Sequence, residues 1–181
     1  MFGQQKIIPA AHQERDIEKI IALDGEYLVM LETHIAQLKS LVNLAKSANK
    51  KVILHADLIN GLKNDDYGAE YLCQEIRPAG IVSTRSNVVI KAKQQHIIAI
   101  QRLFTIDSSA YTKGIAMIEK TNPDAIELLP GILPNQIARM KAMMNIPLIA
   151  GGLIETEEQV NAALENGAIA ITTSNKKLWN L

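Results

Sequence analysis

Several side chains suited to ligand chemistry recur at one kind of place, directly after a short apolar run. His55 and Asp57 follow Val52-Ile53-Leu54, Arg102 follows the run around Ile97 to Ile100, and Glu127 follows Ala125-Ile126. Gly151-Gly152 close Leu148-Ile149-Ala150, and Thr173 and Ser174 end a run that starts at Ala168. His55 and Asp57 are two residues apart, so on an extended strand they project to one face. Arg102 offers a planar fork to a phosphate or carboxylate, and Glu127 accepts hydrogen bonds from ligand hydroxyls. Paired glycines let backbone N–H groups approach an anion closely. Together these residues suit the recognition of a small, polar, phosphate-bearing ligand. Each also has a plainer use: Arg102 and Glu127 as an ion pair, and Gly151-Gly152 as a tight turn. His12 and His34 read as surface loop histidines. No CxxC pair or HExxH occurs, so neither a metal nor another cofactor is expected.

The elements that must position these groups follow from the hydropathy pattern. Eight apolar runs begin near Ile7, Tyr27, Val52, Ile81, Ile97, Ala125, Pro147 and Ala168. Near-continuous runs such as Val52-Ile53-Leu54 suit parallel strands covered on both faces. Helical periodicity lies between them: Ile35, Leu38, Leu41, Val42 and Ala45 form one face, as do Ile137, Met140, Met143 and Met144. Thr156-Glu157-Glu158-Gln159 reads as a capping box, and Asn166-Gly167 as the stop of that helix. Eight β/α units predict an α/β fold, a compact (β/α)₈ TIM-type barrel in which residues 1–181 form a single domain. A doubly wound open sheet is the alternative. The length falls below the usual lower end of about 200 residues, so helices and loops must be minimal, Ser86 to Gln95 included. In such a barrel functional groups gather where strands end. That rim also takes in Glu32, Thr33, Ser83, Thr84, Arg85, Gln101 and Thr172. The last quarter, from Ile146 to Trp179, resembles the phosphate-binding half of many such barrels, with Asn175 to Trp179 as a short helix and Thr173 where glycine is usual.

Composition removes other classes. The chain is 48% hydrophobic and 21% charged, the balance of a soluble globular fold. Nineteen basic and nineteen acidic residues give a net charge of +0, which excludes attachment to nucleic acid by bulk charge but not by a local patch. A single cysteine, Cys73, leaves no intramolecular disulfide and points to the cytoplasm. Cys73 reads as inert core, and Trp179 and Leu181 as packing for the C-terminal segment. No signal peptide or membrane span is expected.

Taken as longer motifs, the same residues carry a resemblance. His55-Ala56-Asp57-Leu58-Ile59-Asn60-Gly61-Leu62, Ile81 to Asn87, Gln101 to Ser108, Glu127-Leu128-Leu129-Pro130-Gly131 and Ala150 to Ile154 resemble the glycerol-3-phosphate-responsive antiterminator family. The resemblance implies a regulator, not an enzyme. It would bind glycerol 3-phosphate and then the leader mRNA of glycerol-utilisation genes, preventing termination and stabilising the message. On that reading Gly151, Gly152, Thr173 and Ser174 hold the phosphate. Arg102, Glu127, Asp57 and His55 hold the glycerol end or balance charge. With no RNA-recognition motif and 4% aromatic residues, RNA must rely on a local basic surface. Lys176 and Lys177 form one candidate, and Arg85, Lys91 and Lys93 another. A homo-oligomer is left open. The competing class is a phosphotriose-handling barrel enzyme of the isomerase or synthase type, with Glu127, Asp57 and His55 as acid–base groups. A Schiff-base aldolase is disfavoured because no strand ends in lysine.

Overall fold

The computed structural model describes residues 1–181 and is a closed barrel of eight parallel strands. The strands are β1 (Ile7–Ala11), β2 (Tyr27–Met30), β3 (Lys51–His55), β4 (Gly80–Ser83), β5 (Ile98–Phe104), β6 (Ala125–Leu129), β7 (Leu148–Gly151) and β8 (Ala168–Thr173). Each pairs with its neighbours in sequence, and β8 returns to β1, so the barrel has no open edge. The predicted barrel is the observed one, and the open sheet is excluded.

Seven α-helices cover the outside: α1 (Glu14–Ile21), α2 (Ile35–Ser47), α3 (Asp66–Tyr71), α4 (Ser86–Gln94), α5 (Ser108–Thr121), α6 (Pro134–Met143) and α7 (Glu157–Glu165). Helix α3 continues into a π-helical turn, Leu72–Ile76. The eighth crossover position holds only a 3-10 turn, Lys176–Leu178. The short helix expected over Asn175–Trp179 is there in this 3-10 form, with Asn175 and Trp179 as its caps. The Asn175 side chain accepts from Lys177 N and closes the chain into a tighter turn than an α-helix.

Strand alternation divides the core. Ile8, Ala10, Tyr27, Val29, Ile53, Val82, Ile100, Ala125, Ile149 and Ala170 fill the barrel. The alternate residues, such as Leu28, Leu54, Ile81, Leu128 and Ala150, pack outward against the helices. The capping box at Thr156 is formed on both sides, with Gln159 N donating to Thr156 Oγ1 and Thr156 N to Gln159 Oε1. Cys73 is buried, and burial pushes its thiol pKa up to about 11, so it stays a neutral core group. Trp179 packs with Ile17 and Ile20 of α1, whereas Leu181 is exposed rather than packed.

Candidate functional site

Inward-facing positions at the C-terminal ends of the strands are the polar ones. Arg102 and Glu127 are register partners on β5 and β6, as Gly151 and Thr172 are on β7 and β8. Arg102 Nε donates to Glu127 Oε2 at 2.6 Å, and Thr172 Oγ1 donates to Glu127 Oε1 at 2.6 Å, so both carboxylate oxygens are engaged. Glu127 is 1% exposed. A charge so buried is tolerable only because it is paired and hydrogen-bonded. The Arg102 Nη groups make no bond within the chain, and Arg102 keeps one edge on the solvent. The strand continues two residues past Arg102 to Phe104, so Arg102 stands inside the barrel wall rather than at its last residue.

Above this layer opens a cavity of about 640 Å³. Arg102, Gly152, Thr172, Thr173, Ser174 and Lys177 supply much of its polar lining, and Leu31, Leu129 and Leu153 part of its apolar lining. Gly152 has φ +78, and a Cβ there would lie 3.2 Å from Leu129 Cδ2. Gly151 serves another purpose. A Cβ on it would lie 2.5 Å from Thr172 Oγ1 and 3.0 Å from Glu127 Oε1, so glycine keeps room for the bond between them. Four contacts fix the loop after β8: Asn175 N donates to Thr173 Oγ1, Asn175 Nδ2 to Glu155 O, Trp179 Nε1 to Thr173 O, and Lys176 Nζ to Asp16. The Ser174 hydroxyl and the Lys177 ammonium are left free, and both face the cavity.

The other predicted residues sit beside or below. His55 is 3% exposed on the inner face of β3, and neither ring nitrogen has a partner. Burial first, then the Arg102 charge, pushes its pKa down to about 4, against the opposing pull of Glu127 and Asp57. It is a neutral imidazole at pH 7. Asp57 does not share a strand face with His55, because the chain turns into a 3-10 segment at Ala56–Leu58. Its carboxylate instead accepts from Ser83 Oγ, Thr84 N and Thr84 Oγ1, closing the loop after β4. Gln101 points outward and braces the same loop through Ser83 O and Thr84 O. Of the eight predicted ligand residues, Arg102, Gly152, Thr173 and Ser174 therefore line the cavity. Gly151 and Glu127 support it from below, His55 is buried alongside, and Asp57 is committed to a loop.

Lys177, a candidate for RNA in the sequence, lines the mouth cavity instead. Its distance of only three residues from Ser174 was the available signal. The remaining RNA candidates are largely paired. Lys176 is bound to buried Asp16, Lys91 lies 3.6 Å from Glu70, and Lys93 is bound to Asp124; Arg85 is exposed and unpaired. Burial alone would raise the Asp16 pKa, but the Lys176 hydrogen bond, the His12 N–H and the charges of Lys176 and Arg15 hold it below the usual carboxylate range. A second cavity, about 510 Å³, lies beside the start of β1, between residues 2–9 and Trp179. Its charged residues are Lys6, Asp24 and Glu26, and it lacks the convergent strand-end groups of the mouth. No three His, Cys, Asp or Glu side chains gather as a metal-ligand set.

Barrel and mouth together define a (β/α)₈ protein with a polar cavity at the strand ends. The chain belongs to the glycerol-3-phosphate responsive antiterminator family, whose model matches residues 7–179. It is 63% identical to the glycerol uptake operon antiterminator regulatory protein of Listeria monocytogenes, over 98% of this chain and 96% of that one, with a TM-score of 0.97. A glycerol uptake operon antiterminator-related protein of Thermotoga maritima is 30% identical over the whole of both chains, with a TM-score of 0.87. The orotidine 5′-phosphate decarboxylase of Pyrococcus horikoshii is 12% identical with a TM-score of 0.73, a likeness of fold alone. The family is one of regulators. No helix of the chain is long and apolar enough to cross a membrane.

Proposed function

We propose that the chain is a cytoplasmic sensor that binds glycerol 3-phosphate in the mouth cavity and, so loaded, binds the leader mRNA of glycerol-utilisation genes, preventing termination and stabilising the message. The phosphate lies against Gly152, Thr173, Ser174 and Lys177, and the glycerol hydroxyls reach toward Thr172 and the free edge of Arg102. Glu127, Gly151 and His55 shape the floor beneath. One observation carries the ligand half. In a chain of the glycerol-3-phosphate responsive family, Lys177 is the cavity's one cation without a carboxylate partner when histidine is neutral, and it stands beside a positive-φ glycine and a free hydroxyl. A dianionic phosphate needs such donors.

The reading excludes turnover. No lysine stands among the inward-facing strand-end residues, and the carboxylates of Glu127 and Asp57 already accept hydrogen bonds within the chain. Calorimetric titration with glycerol 3-phosphate, glycerol and inorganic phosphate tests the proposal. Glycerol 3-phosphate should bind most tightly, inorganic phosphate weakly at the same site, and glycerol alone weakest. Equal affinity for glycerol and glycerol 3-phosphate would remove the phosphate from the site.

A further inference from the structure

The charges of this neutral chain are sorted by face. At the mouth, from the end of each strand through the first turn that follows, stand ten acids and five cations. At the opposite end, from the last turn of each helix through the first residue of the next strand and including the N-terminal segment, stand ten cations, of which Lys51, Lys91 and Lys93 are paired with carboxylates, and seven acids. A mouth rich in carboxylates repels a second polyanion beyond its small ligand, while the base attracts one. Basic last turns complement helix dipoles in any protein, but dipoles do not explain the whole excess. Lys6 and Arg77 lie outside helices and have no carboxylate partner, whereas Lys51 is paired with Glu26.

One pair on the base stands out. Lys46, at the end of α2, donates to Ile76 O at 3.2 Å and Arg77 O at 2.7 Å, which holds its ammonium close to Arg77. Arg77 has φ +51 and anchors only its Nε, on Gln74 O at 2.7 Å, leaving the outer edge of its guanidinium exposed. Neither cation has a carboxylate partner within the chain. Burial and the neighbouring Arg77 charge both lower the Lys46 pKa, the mark of two like charges held together.

We propose that the base of the barrel, centred on Lys46 and Arg77, is the surface that takes the phosphate backbone of RNA. This rests on the RNA-binding reading above and locates it. Packed helices lie about 8–10 Å apart, so cations at successive helix ends, such as Lys120 and Lys141 beyond the central pair, are spaced for a chain of phosphates rather than for one small anion. RNA on this face also leaves the ligand mouth open.

The test is fluorescence anisotropy of a labelled transcript of the host's glycerol-operon leader, with glycerol 3-phosphate present, at several salt concentrations. Lys46→Glu with Arg77→Glu should weaken binding about tenfold or more. It should also lower the salt slope by about 1.4 to 1.8, because each phosphate neutralised by a cation adds roughly 0.7 to 0.9 to that slope. Lys63→Glu with Arg85→Glu changes net charge equally on the mouth face and should leave both quantities near wild type. Lys120→Glu with Lys141→Glu, at exposed helix ends, repeats the test if loss of the Lys46 hydrogen bonds lowers the melting temperature. Wild-type affinity and slope in the base variants, or an equal loss in the mouth variant, would overturn the placement while RNA binding itself stood. A wild-type protein that binds no transcript would overturn the RNA reading, and this surface with it.

Discussion

Acid should destabilise this protein in part through a single imidazole. His55 is buried without a hydrogen-bond partner, and its pKa lies at about 4 instead of 6.5. In the unfolded chain the ring takes its proton near pH 6.5, while in the folded chain it stays neutral until about pH 4. Between those values the unfolded state binds a proton that the folded state refuses, so stability falls as pH is lowered through the window and falls no further on this account below it. At about 1.4 kcal/mol per pH unit over a gap of about 2.5, the loss is on the order of 3 kcal/mol. His55→Gln keeps a polar side chain but removes the titration. Urea unfolding of both proteins at pH 7, 6, 5 and 4.2 measures the difference, and carboxylate titrations common to the two, that of Asp16 included, cancel. The variant should gain on the wild type steadily from pH 6.5 downward. Parallel stability curves across that range would refute the argument, because they would mean that the folded protein protonates His55 as readily as the unfolded chain does.

Gly152→Val places a β-branched residue at φ +78 with its Cβ against Leu129. At a backbone cost of about 1–3 kcal/mol it should leave the fold intact and weaken glycerol 3-phosphate binding at least tenfold by calorimetry. Lys177→Ala removes a charge-assisted bond of about 1.5–3 kcal/mol, so affinity for glycerol 3-phosphate should fall by roughly ten- to a hundredfold, with affinity for glycerol unchanged. Glu127→Gln leaves the Arg102 cation without its counter-charge in the wall. It should lower stability in urea by about 3 kcal/mol, and neither variant nor wild type should turn over triose phosphates in a coupled assay.

The barrel was legible because its strands are short, apolar and regularly spaced, and because signals such as Thr156 to Gln159 are local. What depended on closure of the barrel was not. Lys176 looked free for RNA, but its partner Asp16 lies 160 residues away and meets it only when β8 returns to β1. Asp57 looked like a neighbour of His55 because the two were assumed to share one strand. The chain leaves the strand at Ala56, so the alternation that licensed the inference ends one residue early. Gln101 and Arg102 are adjacent and both polar, and alternation does separate them. Arg102 faces the mouth while Gln101 ties down the neighbouring loop. Gly151 and Gly152 likewise read as one motif but divide their work, the first making room inside the barrel and the second forming the cavity wall.

The choice between sensor and enzyme turns on what the mouth leaves uncommitted. An acid–base catalyst needs a lone pair or a proton aimed at the substrate and free to change partners. Glu127 has spent both oxygens on Arg102 and Thr172, and Asp57 has spent its own on Ser83 and Thr84. His55 is neutral, but it is absent from the cavity lining, and no neighbour fixes which nitrogen carries the proton, the orientation that a working histidine usually receives. The donors that remain free at the cavity are the Arg102 Nη edge, the Ser174 hydroxyl and the Lys177 ammonium, and the Glu155 carboxylate and His12 ring also line it. The two cations among these donors can donate to an anion but cannot accept a proton from a substrate. Two cations and a hydroxyl, set against strand-end carboxylates that are already committed, favour capture of a phosphate over its chemistry.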